Sequence, residues 1–146
     1  MSTHKSHGLI SIIYTDGSAT AAIKDGGAGI YIQHTNGKSD TVSVATGKYC
    51  TNYKAEYEAI MTALKVIEES PEDCPQIVIL TDALSVLQAL EHHQLPELSE
   101  VLSRMSQTRQ IARQWIPAHC GIPGNEKADK LAKLGAEGDQ HMNHIS

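Results

Sequence analysis

One phrase that occurs twice restricts this chain more than anything else in it. Ile10-Ser11-Ile12-Ile13-Tyr14-Thr15 is apolar or β-branched at every position but Ser11, and it ends in Asp16. Ile77-Val78-Ile79-Leu80 is a second apolar run, and it ends in Thr81-Asp82. Short runs of this composition are core strands. Two such strands, each ending in Thr-Asp, can set two carboxylates side by side at one edge of a sheet. Like charges held together repel, so the pattern asks for something cationic between them.

The remaining elements follow from local periodicity. Gly17 and Ser18 are turn formers, so the first strand, over Ile10 to Thr20, is expected to leave the core at Asp16. Ala19 to Gly27 is expected to be a hairpin connection, Ala28 to Gln33 a second strand, Thr35-Asn36-Gly37-Lys38 a turn and Asp40 to Thr46 a third strand. Thr51-Asn52 supplies capping side chains for a helix from Tyr53 to Glu69, stopped by Ser70-Pro71-Glu72-Asp73. Gln76 to Thr81 is the fourth strand, followed by helices at Ala83–His92 and Glu97–Thr108, with Leu95-Pro96 between them. Ile111 to Ile116 is the fifth strand, Pro117 to Gly124 a loop, and Asn125 to Ala136 the last helix. A meander followed by strand–helix alternation predicts a mixed α/β sheet of five strands. Three are antiparallel, strands four and five run parallel to the first through right-handed crossovers, and helices cover both faces.

With 146 residues the chain has room for one full core. That domain is expected over residues 9–138, between flexible segments at 1–8 and 139–146. No membrane span is expected, because the apolar run after Gly8 is too short and contains Ser11. Cys50, Cys74 and Cys120 are odd in number and widely spaced, which predicts free thiols in a reducing, intracellular (cytoplasmic or nuclear) setting. The net charge of −5 argues against a stand-alone, high-affinity nucleic-acid binder. The cations are uneven, however: Arg104, Arg109, Arg113, Lys127, Lys130 and Lys133, half of the 12, cluster late in the chain.

Each acid of interest has an ordinary explanation. Asp16 reads as a turn former before Gly17, Asp82 as an N-cap, and Glu56 and Asp129 as acids complementing helix dipoles near helix starts. Their common placement at strand ends and helix starts gathers them at one sheet edge, which none of these explanations requires. Divalent cations with oxygen ligands relieve the repulsion, and Mg²⁺ binds few carboxylates while keeping waters and substrate oxygens. Two such ions ~3.5–4 Å apart suit phosphodiester cleavage. His119, in a Gly/Pro-rich loop, is a candidate to carry protons.

The stretches YTDGS, NYKAEYEAI, ILTDAL and WIPAHCGIPGNEKADKLA resemble the four blocks of a type 1 ribonuclease H domain, in order and from about Ile10 to Leu134. The last block is similar to domains attached to non-LTR retrotransposon reverse transcriptases. The resemblance implies an RNase H-like fold and an endonuclease that hydrolyses the RNA strand of RNA–DNA hybrids with two Mg²⁺ ions, Mn²⁺ being able to substitute. It places the metal ligands at Asp16, Glu56, Asp82 and Asp129, and the assisting histidine at His119. It also implies substrate contacts by Gly17, Ser18, Thr51 and Asn52; the Asn52 amide suits 2′-hydroxyl recognition, the feature that separates RNA from DNA. A monomer, working beside a reverse transcriptase domain of the same polyprotein, is the expected setting. Two departures stand out. Ala83 replaces the serine common after the third acid, and the short, uncharged His92–Pro96 stretch lacks the basic insertion of cellular members. The rivals are a catalytically inactive module that binds nucleic acid or a polymerase, and a His119–Cys120 metal or redox module, whose spacing fits no zinc pattern.

Overall fold

The first strand is the centre of the sheet. The structure, a computed structural model, describes residues 9–19, 24–70 and 74–138. The expected flexible ends, residues 20–23 of the first connection and Pro71-Glu72-Asp73 of the helix stop lie outside them. In chain order the elements are β1 (Ile10–Ala19), β2 (Lys24–His34), β3 (Ser39–Cys50), α1 (Asn52–Glu69), β4 (Gln76–Thr81), α2 (Leu84–Glu91), α3 (Pro96–Met105), β5 (Gln110–Trp115) and α4 (Pro123–Ala136). The sheet order is β3-β2-β1-β4-β5, antiparallel from β3 to β1 and parallel from β1 to β5. This is the expected mixed sheet, with α1 packed on one face of β1 to β3 and α4 on the other.

Most of the core lies under α1. Ile13, Ile30, Ile32, Ile77 and Ile79 from the sheet meet Ile60, Ala63, Leu64 and Ile67 of α1, and Val86, Leu90, Leu98, Leu102 and Met105 of α2 and α3 close it. Each fully buried aliphatic side chain contributes roughly 1.5–3 kcal/mol relative to exposure. With no Phe in the chain, isoleucine and leucine do this work. The α4 side is built differently. Ala128, Ala132 and Gly135 are its buried face, and a β-carbon on Gly27 or Gly29 would collide with the α4 backbone. Helix and sheet therefore touch backbone to backbone.

That contact corrects the expected hairpin connection. Gly26, Gly27 and Gly29 are strand residues of β2, Gly27 and Gly29 small because α4 lies on them and Gly26 because Thr46 and Cys50 of β3 crowd it, rather than because the chain turns there. It corrects β1 as well. The parallel ladder to β4 ends at Thr15↔Thr81, but the antiparallel ladder to β2 continues through Asp16↔Gly29 to Ala19↔Gly26. Asp16, Gly17 and Ser18 thus lie within a strand. Gly17 is small because a β-carbon there would meet the backbone of Ala55 and Glu56.

Other boundaries move too. β3 continues past Thr46 to Cys50, α3 stops at Met105, and α4 starts at Pro123, a favoured first-turn position for proline. The N-cap of α2 is Ala83, not Asp82. Glu56 sits beyond the first turn of α1, and Asp129 lies deeper in α4 than its expected start implies. Dipole complementation therefore explains neither acid. The Thr51 cap and the turn at Thr35–Lys38 are as expected: Thr51 Oγ1 accepts from Lys54 N at 3.1 Å, and Gly37 has φ 91°. All three cysteines are free.

Candidate active site

β1 and β4 end their shared ladder at Thr15 and Thr81, so the next residues, Asp16 within β1 and Asp82 just after β4, stand side by side at the carboxyl end of the parallel sheet. α1 enters over Gly17, and its second turn brings Glu56 to the same edge. Carboxylate oxygens of Asp16, Glu56 and Asp82 lie within 4.8 Å of one another, and no other such group of His, Cys, Asp or Glu ligand atoms occurs among the described residues. Asp129 of α4 joins them through a hydrogen bond with Asp16. These four, with Gly17, Asn52, Ala118 and His119, line a cavity of about 220 Å³. A larger cavity, about 530 Å³, lies between α1 and the α2–α3 connection and is lined by Tyr53, Tyr57, Leu95 and Pro96 among others. Its walls are largely apolar, so the chemistry belongs to the smaller one.

The electrostatics are those of a crowded carboxylate cluster. Asp16 is 8% exposed. Burial, then the charge of Asp82, then the hydrogen bond and charge of Asp129 and the charge of Glu56 push its pKa up to about 9. Burial and then the charge of Asp82 raise Glu56 to about 7. Asp82 is raised too, because burial outweighs a hydrogen bond from Asn125 and the nearby His119. Asp129 moves the other way: burial raises it, but hydrogen bonds to Asp16 and to Lys133, at 3.0 Å, outweigh that. The two neighbouring acids are thus shifted in opposite directions, Asp16 up and Asp129 down.

The other expected residues divide. The Asn52 side chain is exposed and faces the cavity while its Oδ1 accepts from Ala19 N at 3.0 Å, tying α1 to the end of β1. The Gly17 N–H donates to Asp16 Oδ1 at 3.0 Å, so it serves the carboxylate. Ser18 is buried, and Thr51, exposed, caps α1; neither lines the cavity. His119 is exposed on the β5–α4 loop with φ 55°, a left-handed conformation uncommon for a non-glycine residue. Cys120 Sγ donates to Pro117 O at 3.3 Å and is in no metal-ligand group. Ala83 is buried and its N–H donates to Thr81 Oγ1, so the missing serine hydroxyl leaves that N–H satisfied.

Asn125 was not anticipated as a site residue. It reads in sequence as the start of a helix, yet it is a buried residue of the first turn, close enough to Asp82 to lower that acid's pKa against the effect of burial. Its one sequence signal is spacing: Asn125 and Asp129 are four apart and share a helix face.

The carboxylates that converge on the cavity offer oxygen ligands. That donor set fits hard divalent cations such as Mg²⁺. A central β1 flanked by β2 and β4, carrying carboxylates at the carboxyl end of its parallel ladder, defines the RNase H-like class of α/β protein. The family model described as RNase H matches residues 10–137, and the chain belongs to that family; its enzyme class is ribonuclease H. Among solved structures, LC11-RNase H1 in complex with an RNA/DNA hybrid superposes with a TM-score of 0.68 at 22% identity, over 87% of this chain and 96% of that one. The N-terminal RNase H domain of a Mycobacterium tuberculosis protein gives 0.69 at 21% identity, over 88% and 94%. RNase H1 of Halobacterium salinarum gives 0.68 at 20%, over 88% and 98%. At these identities the likeness supports the fold. No helix among the described residues is long and apolar enough to cross a membrane.

Proposed function

We propose that this domain cleaves the RNA strand of RNA–DNA hybrids endonucleolytically, using two divalent ions, Mg²⁺ by preference. The observation that carries the reading is the convergence of Asp16, Glu56, Asp82 and Asp129 on one cavity in a chain of this family. Asp16, Glu56, Asp82 and Asp129 would together hold the ions through their carboxylate oxygens. Bound divalent ions supply a nucleophilic water and neutralise charge at the scissile phosphate. His119, exposed beside the cavity, takes up and releases protons as product leaves. Asn52, at the cavity edge, reads a ribose 2′-hydroxyl with its amide. Gly17, Ser18 and Thr51 shape the strand path around it, Thr51 toward a backbone phosphate. A hybrid-bound RNase H1 of the same fold supports this choice of substrate.

We further infer, from the wording of the Trp115–Ala132 block, that the domain works beside a reverse transcriptase domain, as a monomer in an intracellular compartment. The short α2–α3 connection fits that setting, since a neighbouring domain would then supply grip on the hybrid. A labelled hybrid, a single-stranded RNA and a DNA duplex incubated with Mg²⁺ and then with EDTA test the reading. Cleavage confined to hybrid RNA, stopped by EDTA and lost in Asp82→Asn, is the expected result. Binding without cleavage would establish an inactive module instead.

A further inference from the structure

The parallel half of the sheet has a second end. β4 and β5 begin side by side at Gln76↔Gln110, while β4 finishes next to Asp82 at the opposite edge. At about 3.3 Å per residue the two ends of β4 lie roughly 17 Å apart. A cavity of about 350 Å³ opens at the amino end, lined by Pro75 and Gln76 and by Ser106–Gln110, the stretch that joins α3 to β5. It shares no residue with the carboxylate cavity.

No acid lines this cavity among the described residues, and its one charged residue is Arg109. Arg109 is half-buried and pairs with no described acid, and its Nη1 is sealed from solvent with no hydrogen-bond partner. Arg104 shows the arrangement that Arg109 lacks: its Nε and Nη2 each donate to Glu68 at 2.9 Å. A guanidinium stays charged at any pH the protein meets. Withdrawing it partly from water without a counter-charge is costly.

The rest of the lining is neutral. Ser106 Oγ donates to Leu102 O at 2.7 Å and Thr108 Oγ1 to Met105 O at 3.5 Å, so both hydroxyls are committed to the end of α3. The side-chain amides of Gln76, Gln107 and Gln110 make no hydrogen bond among the described residues, and each can turn its N–H groups to an acceptor. A cation ringed by free amides and no acid is a donor set for an oxyanion. So many donors suit a phosphate, with its several acceptor oxygens, better than a two-oxygen carboxylate.

We propose that this cavity is a phosphate-binding site, in which Arg109 pairs with the oxyanion and the amides of Gln76, Gln107 and Gln110 complete its hydrogen bonds. Free phosphate and the phosphodiesters of a nucleic-acid strand both offer this chemistry. The site does not depend on the divalent-cation reading of the other cavity.

The probe is inorganic phosphate, titrated into the whole isotope-labelled chain in EDTA at constant ionic strength, with sodium acetate as a parallel series. The Arg109 Nε–H and the Gln76, Gln107 and Gln110 side-chain amide resonances should move saturably with phosphate and little with acetate. Arg109→Ala should raise the phosphate dissociation constant ~10-fold or more, through loss of a charge-assisted pair. Arg109→Lys, which keeps the charge but not the planar fork, should fall between the two. A short single-stranded RNA without a terminal phosphate separates the sources. Saturable shifts of the same resonances assign the site to a strand backbone, and their absence beside a positive phosphate titration assigns it to free phosphate. An equal response to acetate, or an unchanged dissociation constant in Arg109→Ala, would overturn the proposal. The wild-type titration needs no variant to fold: resonances that drift without saturating would overturn it as well.

Discussion

Asp16 lies where stability and function pull in opposite directions. Its folded pKa, about 9, lies above the unfolded value of 3.8. Below pH 4 both states are protonated and the shift has no effect. Between pH 4 and 9 the folded state holds a proton that the unfolded state has released, so stability falls as pH rises through that window. Asp16→Asn removes this slope. In EDTA at pH 7 it should be more stable than wild type by about 2 kcal/mol, since one pKa unit is worth about 1.4 kcal/mol and the lowered pKa of the neighbouring Asp129 offsets part of the shift. Melts of both proteins from pH 4 to 9 check this, and a variant with the wild-type slope would refute it. The same substitution should abolish hybrid cleavage. His119 lies on the cavity rim, outside the convergent oxygens. His119→Ala should therefore slow turnover ~10²-fold and leave Mg²⁺-induced stabilisation intact; a calorimetric titration that lost metal binding would make it a ligand.

Between elements, the decisive contacts are backbone against backbone. β2 meets α4 at Gly27 and Gly29, and β1 meets α1 at Gly17. These contacts determine how far each helix sits from the sheet, and hence where Asp129 and Glu56 arrive. Gly29 stands opposite Asp16 in the β1–β2 register. Gly29→Ala should push α4 outward, cost about 1–3 kcal/mol by overpacking, and lower cleavage because Asp129 moves with the helix. Urea unfolding and the hybrid assay together check it. A variant that kept wild-type stability would show that the α4 contact yields without strain.

Across the whole molecule, charge limits the grip on substrate. The net charge is −5, and α2 and α3 are joined by only His92–Leu95, with His93 in a left-handed conformation at φ 58°. Lys127, Lys130 and Lys133 are exposed on α4, the densest cationic surface near the cavity. Hybrid binding measured with Ca²⁺ in place of Mg²⁺ should be weak, with a log–log salt slope of about −3 or shallower, since each phosphate contact adds about −0.9. A slope near that of a strongly basic DNA-binding protein would mean that other cations reach the backbone. Mg²⁺ should also stabilise the wild type and flatten its pH dependence, because the cation binds the native cluster preferentially.

The order of strands and helices was legible in the sequence, because a strand or helix announces itself by local periodicity. β4, the Thr51 cap, the Thr35–Lys38 turn and the α1 core face all follow from neighbours in the chain. So did the set of four acids, through a repeated phrase and four blocks of residues. The extent of β1 beyond Asp16 and the start of β2 were not legible. Glycine-rich residues are compatible with a turn or with a strand pressed by a helix, and only the helices far along the chain, α1 over Gly17 and α4 over Gly27 and Gly29, decide between them. The same holds for Asn125. By itself it is a helix-start residue; its burial depends on Gly124 seating α4 on Tyr14. The opposite shifts of Asp16 and Asp129 were likewise a tertiary matter, because burial and the distances between carboxylates exist only once the sheet edge is assembled.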